Sequence, residues 1–375
     1  MTRAVDCLVI GGGLAGAMAG LRLAEAGREV LLAEREAAPR PKVCGEFLSA
    51  EAVGYLRQSG VDPVDHGARH IRLVRFSSGK RRIEARLPFP ALALSRTVLD
   101  EQLLRSASER GCEVVRGVAI ERLTRNEDGW CAYADDGHIV NARTVFLASG
   151  KHDLRGWARG AGVQNDLVGF KMHWRLAPAQ AFALAGAIEL VQFAGGYGGL
   201  VEVEDGSTNL SVVVRQSMFR KMTGWVGLLA NIRAENALCD ERLAGATPEW
   251  ERPMAISAIP YGYVARGADG CWRVGDQAAV IPSFTGDGMA IALHSAALAV
   301  DMMLEGRGVE AYQQALGRQL RRGMVIATAL SRLMASGAAG VVAPAAMRVL
   351  PMVLGSIARA TRIPGHALRV SGSGA

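Results

Sequence analysis

None of the six cysteines (Cys7, Cys44, Cys112, Cys131, Cys239, Cys271) stands in a C-x-x-C pair. Their scatter excludes a zinc site and a disulfide framework and points to a reducing compartment. The sequence offers no metal-ligand cluster, no internal repeat and no low-complexity tract, so repeat architectures are excluded. Only Thr2-Arg3-Ala4 precede the first apolar run. They are too few for a leader peptide, and a cytoplasmic location is the expectation. Acids are missing from the end of the chain. Nine arginines lie from residue 301 onward against Asp301, Glu305 and Glu310, leaving +6 of the net +7 in the last fifth. This basic end suits an anionic membrane surface, an acyl carrier protein or a phosphorylated substrate, with peripheral membrane contact and no nucleic-acid partner. Residues 337–357 are nearly all apolar, yet Arg348, Pro344 and Pro351 argue against a membrane span. A buried or membrane-resting helix is expected there. With 50% hydrophobic and 21% charged residues in 375, the chain can bury a large core shared by two joined domains.

What is present begins at the N-terminus. Cys7-Leu8-Val9-Ile10 reads as a buried parallel strand, and Gly11, Gly13 and Gly16 follow in G-x-G-x-x-G spacing before a small-residue helix. The first glycine allows a tight turn, the second a close approach to a pyrophosphate, and the third helix packing on the strand. The helix start at Leu14 and Ala15 then offers amide groups and a dipole to phosphates. After Gly27, Glu29–Glu34 reads as a second buried strand. Glu34, followed by Arg35, falls about 20 residues past the glycines, where a carboxylate binds an adenosine ribose. A carboxylate there repels a 2′-phosphate, which favours FAD or NAD over NADP.

The coarse pattern predicts a proline-broken loop over 39–49, a helix capped by Ser49 and a hairpin over 69–87 turning at Ser77-Ser78-Gly79-Lys80. An amphipathic helix buries Leu99, Leu103, Leu104 and Ala107, and ends at Gly111. A strand at 113–116, a meander over 118–134 and a buried strand over 144–150 follow. Residues 168–264 read as an antiparallel sheet with one helical stretch from Trp225 to about Leu243. Trp272–Asp276 returns to the first domain, and Met289–Leu304 forms a long helix.

The other informative stretch is Gly275-Asp276-Gln277-Ala278-Ala279-Val280-Ile281-Pro282-Ser283-Phe284-Thr285-Gly286-Asp287-Gly288-Met289. A strand ends in Gly-Asp, a proline loop follows, and Gly-x-Gly opens a helix whose N-terminus can stabilise negative charge on a reduced ring. Together, the glycine loop, Glu34 and this stretch resemble the FAD-dependent oxidoreductases of the para-hydroxybenzoate hydroxylase fold, which include aromatic hydroxylases, flavin halogenases and geranylgeranyl reductases. The resemblance spans residues 5–305. It implies an α/β fold: a Rossmann-type FAD-binding domain with a parallel sheet (1–70, 92–165 and 265–305), interleaved with an antiparallel-sheet substrate domain (71–91 and 166–264). A helical basic C-terminal region (306–375) completes it. It further implies that Gly275 and Asp276 meet the flavin ribityl chain or its ribose-phosphate arm, and that Gly286, Gly288 and Met289 face the flavin pyrimidine. Pro282 shapes the reactive loop, and Arg96 matches a family arginine near the flavin.

The departures narrow the chemistry. The family's Asp-Gly after the 144–150 strand is Ser149-Gly150 here, which puts the meeting with NADH, NADPH or another donor in question. The halogenase Trp-x-Trp-x-Ile-Pro is absent. The geranylgeranyl reductase Tyr-x-Trp-x-Phe-Pro keeps only Tyr197, whereas Val43-Cys44-Gly45-Glu46 looks like the cysteine-glycine loop of those reductases. Two activities follow from the resemblance. A monooxygenase of secondary metabolism would hydroxylate a hydrophobic aromatic or polyketide substrate through a flavin C4a-hydroperoxide, and this reading stands slightly ahead. A reductase would add hydride to an alkene of a prenyl or lipid substrate. A non-catalytic nucleotide-binding protein is disfavoured by the two motifs together. Cys44 and Glu46 beside the ring, His173 on a strand facing the cavity and the Tyr197 phenol are the candidate catalytic groups.

Overall fold

The computed structural model describes residues 2–267, 269–336 and 359–369. The helix expected over 337–357 lies outside them. The chain opens with β1 (Thr2–Ile10), α1 (Leu14–Glu25), β2 (Val30–Glu34), β3 (Phe47–Leu48) and α2 (Ala50–Gln58). Next come β4 (Arg69–Ser78), β5 (Arg81–Ala93), α3 (Arg96–Glu109), β6 (Glu113–Arg116), β7 (Ile120–Asn126), β8 (Gly129–Ala134) and β9 (Ile139–Leu147). The middle holds β10 (Leu167–Arg175), α4 (Pro178–Leu184), β11 (Ala187–Phe193), β12 (Gly196–Glu202) and β13 (Thr208–Arg215). Helices α5 (Gln216–Phe219), α6 (Gly224–Glu235) and α7 (Ala237–Arg242) follow. Short strands β14 (Thr247–Pro248), β15 (Met254–Ser257), β16 (Tyr263–Val264), β17 (Trp272–Arg273) and β18 (Ala279–Val280) lead to α8 (Gly288–Leu304) and α9 (Val309–Met334).

Two large sheets organise these elements. A seven-stranded sheet runs β6-β2-β1-β9-β8-β7, with β17 also beside β9. Its β6, β2, β1, β9 and β17 are mutually parallel, and β8 and β7 add antiparallel. A nine-stranded sheet runs β14-β10-β13-β12-β11-β4-β5-β3, with β15 beside β10. Parallel strands need long crossovers, and here the apolar stretch of α1 supplies the first. Leu14, Met18 and Leu21 share one core with Val9 and Leu32 beneath them and Leu293 and Ala297 of α8. Ser49 caps α2 by accepting from Ala52 N at 3.4 Å, and Ser95 caps α3 by accepting from Val98 N at 3.3 Å.

The helix expected over 225–243 is instead two, α6 and α7, broken at Asn236. The reason is local. The Asn236 side chain accepts from Cys239 N and Ser77 Oγ and donates to the carbonyls of Ser77 and Gln192. Its amide thus serves the sheet edge and caps α7 at once, which a helical residue could not do. The strand expected over 272–276 stops at Arg273, because Gly275 at φ +62° starts a 3-10 turn.

Behind the large sheet, Glu189 of β11 is fully buried between Arg242 of α7, at 3.0 Å, and Arg75 of β4, at 2.9 Å. Removing one member of such a cluster leaves an uncompensated buried charge. Glu189→Gln should therefore lower unfolding free energy by about 3–5 kcal/mol in urea titrations. A loss below about 1 kcal/mol would show that the cluster adds no net stability.

Candidate functional site

One cavity of about 1620 Å³ runs between the two sheets. Drug-sized ligands occupy roughly 300–1,000 Å³, so this space holds more than one small molecule. Its first wall is the turn after β1. Gly11 adopts φ +105°, and a Cβ there would lie 2.6 Å from the Ala148 carbonyl oxygen. A Cβ at Gly16 would lie 1.8 Å from Gly11 O, so Gly16 stands behind the wall and allows α1 to pack on β1. Gly13 is the N-cap of α1 and brings no side-chain cap, while Leu14 and Ala15 line the cavity. The free amides of this helix start therefore face open space. Glu34 lines the same wall, accepting from Gly12 N at 2.6 Å and Glu36 N at 2.9 Å, with Arg35 beside it.

Cations surround that turn. Arg96 makes a paired contact with Asp100 at 2.7 and 2.9 Å, and Lys42 reaches Asp100 at 2.9 Å. A Cβ at Gly13 would lie 3.6 Å from both Arg96 Nη2 and Lys42 Nζ. Burial pushes the Asp100 carboxyl up, but Arg96 and then Lys42 outweigh it and hold it below its ordinary value. The pair thus leaves a net positive charge beside the helix start, as a pyrophosphate site requires.

The second junction meets the first directly. A Cβ at Gly275 would lie 2.9 Å from the Ala15 methyl, so only a glycine permits the approach. Asp276 lines the cavity and pairs with Lys151 at 3.3 Å. Gly286 turns at φ +73° against the Phe47 ring, and Gly288 and Met289 line the cavity at the start of α8. Asp287 there makes no side-chain cap. Burial pushes its carboxyl up to about 6, even with Arg362 at 3.0 Å. Pro282 is buried behind the lining and accepts from Thr285 N, shaping the turn without facing the cavity. Arg362 also pairs with Glu51 at 3.1 Å and lies 3.8 Å over the Phe89 ring, closing this end with Thr361.

The candidate catalytic groups divide. Cys44 lines the cavity, half-buried. Glu46 is fully buried, its carboxylate between Lys171 Nζ and His173 Nε2. Burial pushes the Glu46 carboxyl up, but His173 and Lys171 together hold it below its ordinary value. His173 does not line the cavity, contrary to expectation, because Glu46 and Ser207 take its two ring nitrogens and Trp250 stacks on it. Tyr197 does line it, edge-on to Phe284, with its hydroxyl 3.3 Å from Ser331 Oγ. Burial raises its phenol well above the usual range. The sequence reading missed Lys42, Asp100, Lys151, Lys171 and Arg362. Lys171 had a signal, since Lys and His two apart in the apolar run Leu167–Trp174 share one strand face. Arg362 had none.

Residues 4–146 match the family described as FAD binding domain. The chain is 28% identical over 356 residues to the menaquinone reductase of Mycolicibacterium smegmatis, covering 89% of this chain and 85% of that one. It is 29% identical over 320 residues to the digeranylgeranylglycerophospholipid reductase 2 of Methanopyrus kandleri, covering 80% and 77%. Among solved structures, a flavin-dependent brominase superposes with a TM-score of 0.76 at 17% identity, covering 98% and 96%. The fold is that of this brominase. Two uncapped helix starts, the glycine approaches and a backbone-held carboxylate fit an FAD. Glu34→Ala should weaken FAD retention about ten- to hundredfold, measured by flavin fluorescence released on dialysis. Unchanged retention would remove Glu34 from the site.

Proposed function

On the premise that this chain is an FAD-dependent oxidoreductase, we propose that it reduces a carbon–carbon double bond in a polyisoprenoid lipid. The lining of the cavity's far half carries this reading. Leu87, Phe89, Phe170, Ile188, Leu190 and Ile256 line it, and the one charged side chain that the described strands of the nine-stranded sheet add to it is the exposed Arg86. A phenol hydroxylase needs a base near its substrate. Here the sheet offers only the Tyr197 phenol, with Tyr261 beyond its strands, and burial pushes both above their ordinary values. The preference for hydroxylation drawn from the sequence alone therefore gives way to reduction. The relatives are named for menaquinone and a digeranylgeranyl phospholipid, two compounds that share polyisoprenoid chains.

An FAD held by the Gly11–Ala15 turn and the start of α8 would supply the hydride chemistry at one alkene carbon. The protein's tasks are to lay an apolar chain along the sheet, exclude water and bring a proton to the other carbon. Glu46 lines the cavity but is a poor acid there, because His173 and Lys171 hold its carboxyl below its ordinary value. Burial makes the Tyr197 and Tyr261 phenols weaker acids, and the Cys44 thiol, which lines the cavity beside Arg96, is the proton donor in this reading, with solvent returning the proton. The electrons come from NADH, NADPH or another anionic donor. Arg35 and Arg40 at the mouth give that donor a positive approach, and together with burial they depress the His152 imidazole.

The outer face of α9 suits a lipid source. Arg318, Arg321, Arg322 and Arg332 lie exposed there with Val325 and Leu333, and none of the first three has an ion-pair partner among the described residues. That face complements an anionic bilayer at about 1 kcal/mol per arginine. No helix among the described residues is long and apolar enough to cross a membrane.

The test is anaerobic turnover of the chemically reduced holoenzyme with menaquinone bearing an unsaturated side chain, read by mass spectrometry after air exposure. Two hydrogens retained in the side chain support the reading. Gain of an isotopically labelled oxygen when oxygen is admitted, or a quinol that simply reoxidises, overturns it. Separately, reversing Arg318, Arg321 and Arg322 to Glu should lower partition onto phosphatidylglycerol vesicles at least about tenfold in co-sedimentation. Equal partition would exclude this face.

A further inference from the structure

The loop that presents Cys44 is gripped from behind by one face of the nine-stranded sheet. Side chains two apart on a strand share a face, and here four of them converge on residues 44–46. Asn209 Nδ2 and Ser211 Oγ of β13 each donate to Cys44 O at 2.9 Å. Lys171 Nζ of β10 donates to Glu46 Oε1, and His173 Nε2 lies 2.8 Å from Glu46 Oε2. Ser207 Oγ, 3.2 Å from His173 Nδ1, leaves Nε2 to donate to Glu46. The Glu46 carboxylate also accepts from Arg96 N at 3.0 Å, which ties the loop to the start of α3. Finally, Glu46 N donates to Cys44 Sγ at 3.4 Å, and Leu94 N donates to Glu46 O at 3.2 Å.

Two features mark this cluster as more than support. Glu46 holds φ +57°, a left-handed conformation that side-chain-bearing residues rarely adopt, and it persists only because its surroundings over-determine it. Lys171 and Glu46 are also wholly buried, and an apolar pair of equal volume would serve stability as well or better. A buried pair of this kind fixes geometry. We propose that Lys171, His173 and Glu46 are positioning residues that hold the Cys44 thiol at its place in the cavity beside Arg96. They act through the 44–46 backbone, and Lys171 and His173 lie outside the cavity lining. The groups facing His173 are Glu46, Ser207, Trp250 and Glu249, the last at 3.9 Å.

The activity arm of the test rests on the reading of Cys44 as proton donor, and the chemical arm does not. Cys44 and Cys131 are the thiols with partial exposure, the other four being buried. In the FAD-loaded full chain carrying Cys131→Ser, the rate of Cys44 alkylation by iodoacetamide reports the grip directly. Lys171→Met and Glu46→Gln singly should each raise that rate about tenfold by local loosening. Each should lower kcat with KM for the polyisoprenoid substrate unchanged. The double variant, which removes both charges, should return toward the parent rate, because no buried charge is stranded. If a single variant fails to fold, His173→Gln against His173→Ala decides the matter. Gln keeps a donor for Glu46 and should match the parent, whereas Ala should loosen the thiol. An unchanged or slower alkylation rate in folded variants overturns the inference. Faster alkylation in a protein that reduces no alkene keeps the grip and overturns the proposed reaction instead.

Discussion

The contact between Ala15 and Gly275 sets the geometry on which the rest depends. Only a residue without Cβ lets the turn after β17 close to van der Waals distance of the first helix. That approach brings two uncapped helix N-termini, α1 and α8, to the same cavity. Two such ends confer positive potential at two separate points. One lies beside Arg96 and Lys42, where the phosphates of an FAD would lie, and the other beside Met289, where it would stabilise charge on a reduced ring. Had either junction been offset, the amides would face separate solvent and neither would select an extended dinucleotide.

The second sheet turns this nucleotide site into an enzyme. Its inward face is mostly apolar, with Arg86 and Tyr197 the exceptions away from the 44–46 loop. The polarity changes along single strands: Gly169 lines the cavity on β10, whereas Lys171 and His173 grip the loop. One strand therefore both walls the cavity and holds the loop that carries Cys44. The charges needed for anchoring stay buried and neutralised, so they do not compete with an apolar substrate for the cavity. The C-terminal segment completes the enclosure, with Arg362 bridging Asp287 at the start of α8 to Glu51 of α2.

Much of this was legible in the chain. The turn at Gly11–Gly16, the acid at the end of β2 and the Gly-Asp and Gly-x-Gly of the second junction follow from spacing, because backbone approach and helix dipoles impose local requirements. The helices capped by Ser49 and Ser95 and the hairpin over 69–87 follow for the same reason. The break at Asn236 did not, since the residues that claim its amide, Ser77 and Gln192, lie 159 and 44 positions away. His173 was misjudged on related grounds. Strand periodicity placed it on the correct face, but whether that face meets open space or a carboxylate depends on a loop 127 residues earlier.

The sequence by itself determined the nucleotide-binding turns, the order of strands and helices and the apolar character of the second sheet. Each of these is governed by residues within a turn or two of one another. Only the tertiary structure decided that the Glu46 carboxylate is buried between Lys171 and His173 and that Lys171 is its counterion. Those roles depend on burial and on partners more than a hundred residues distant, and the desolvation of a charge has no signature in local spacing.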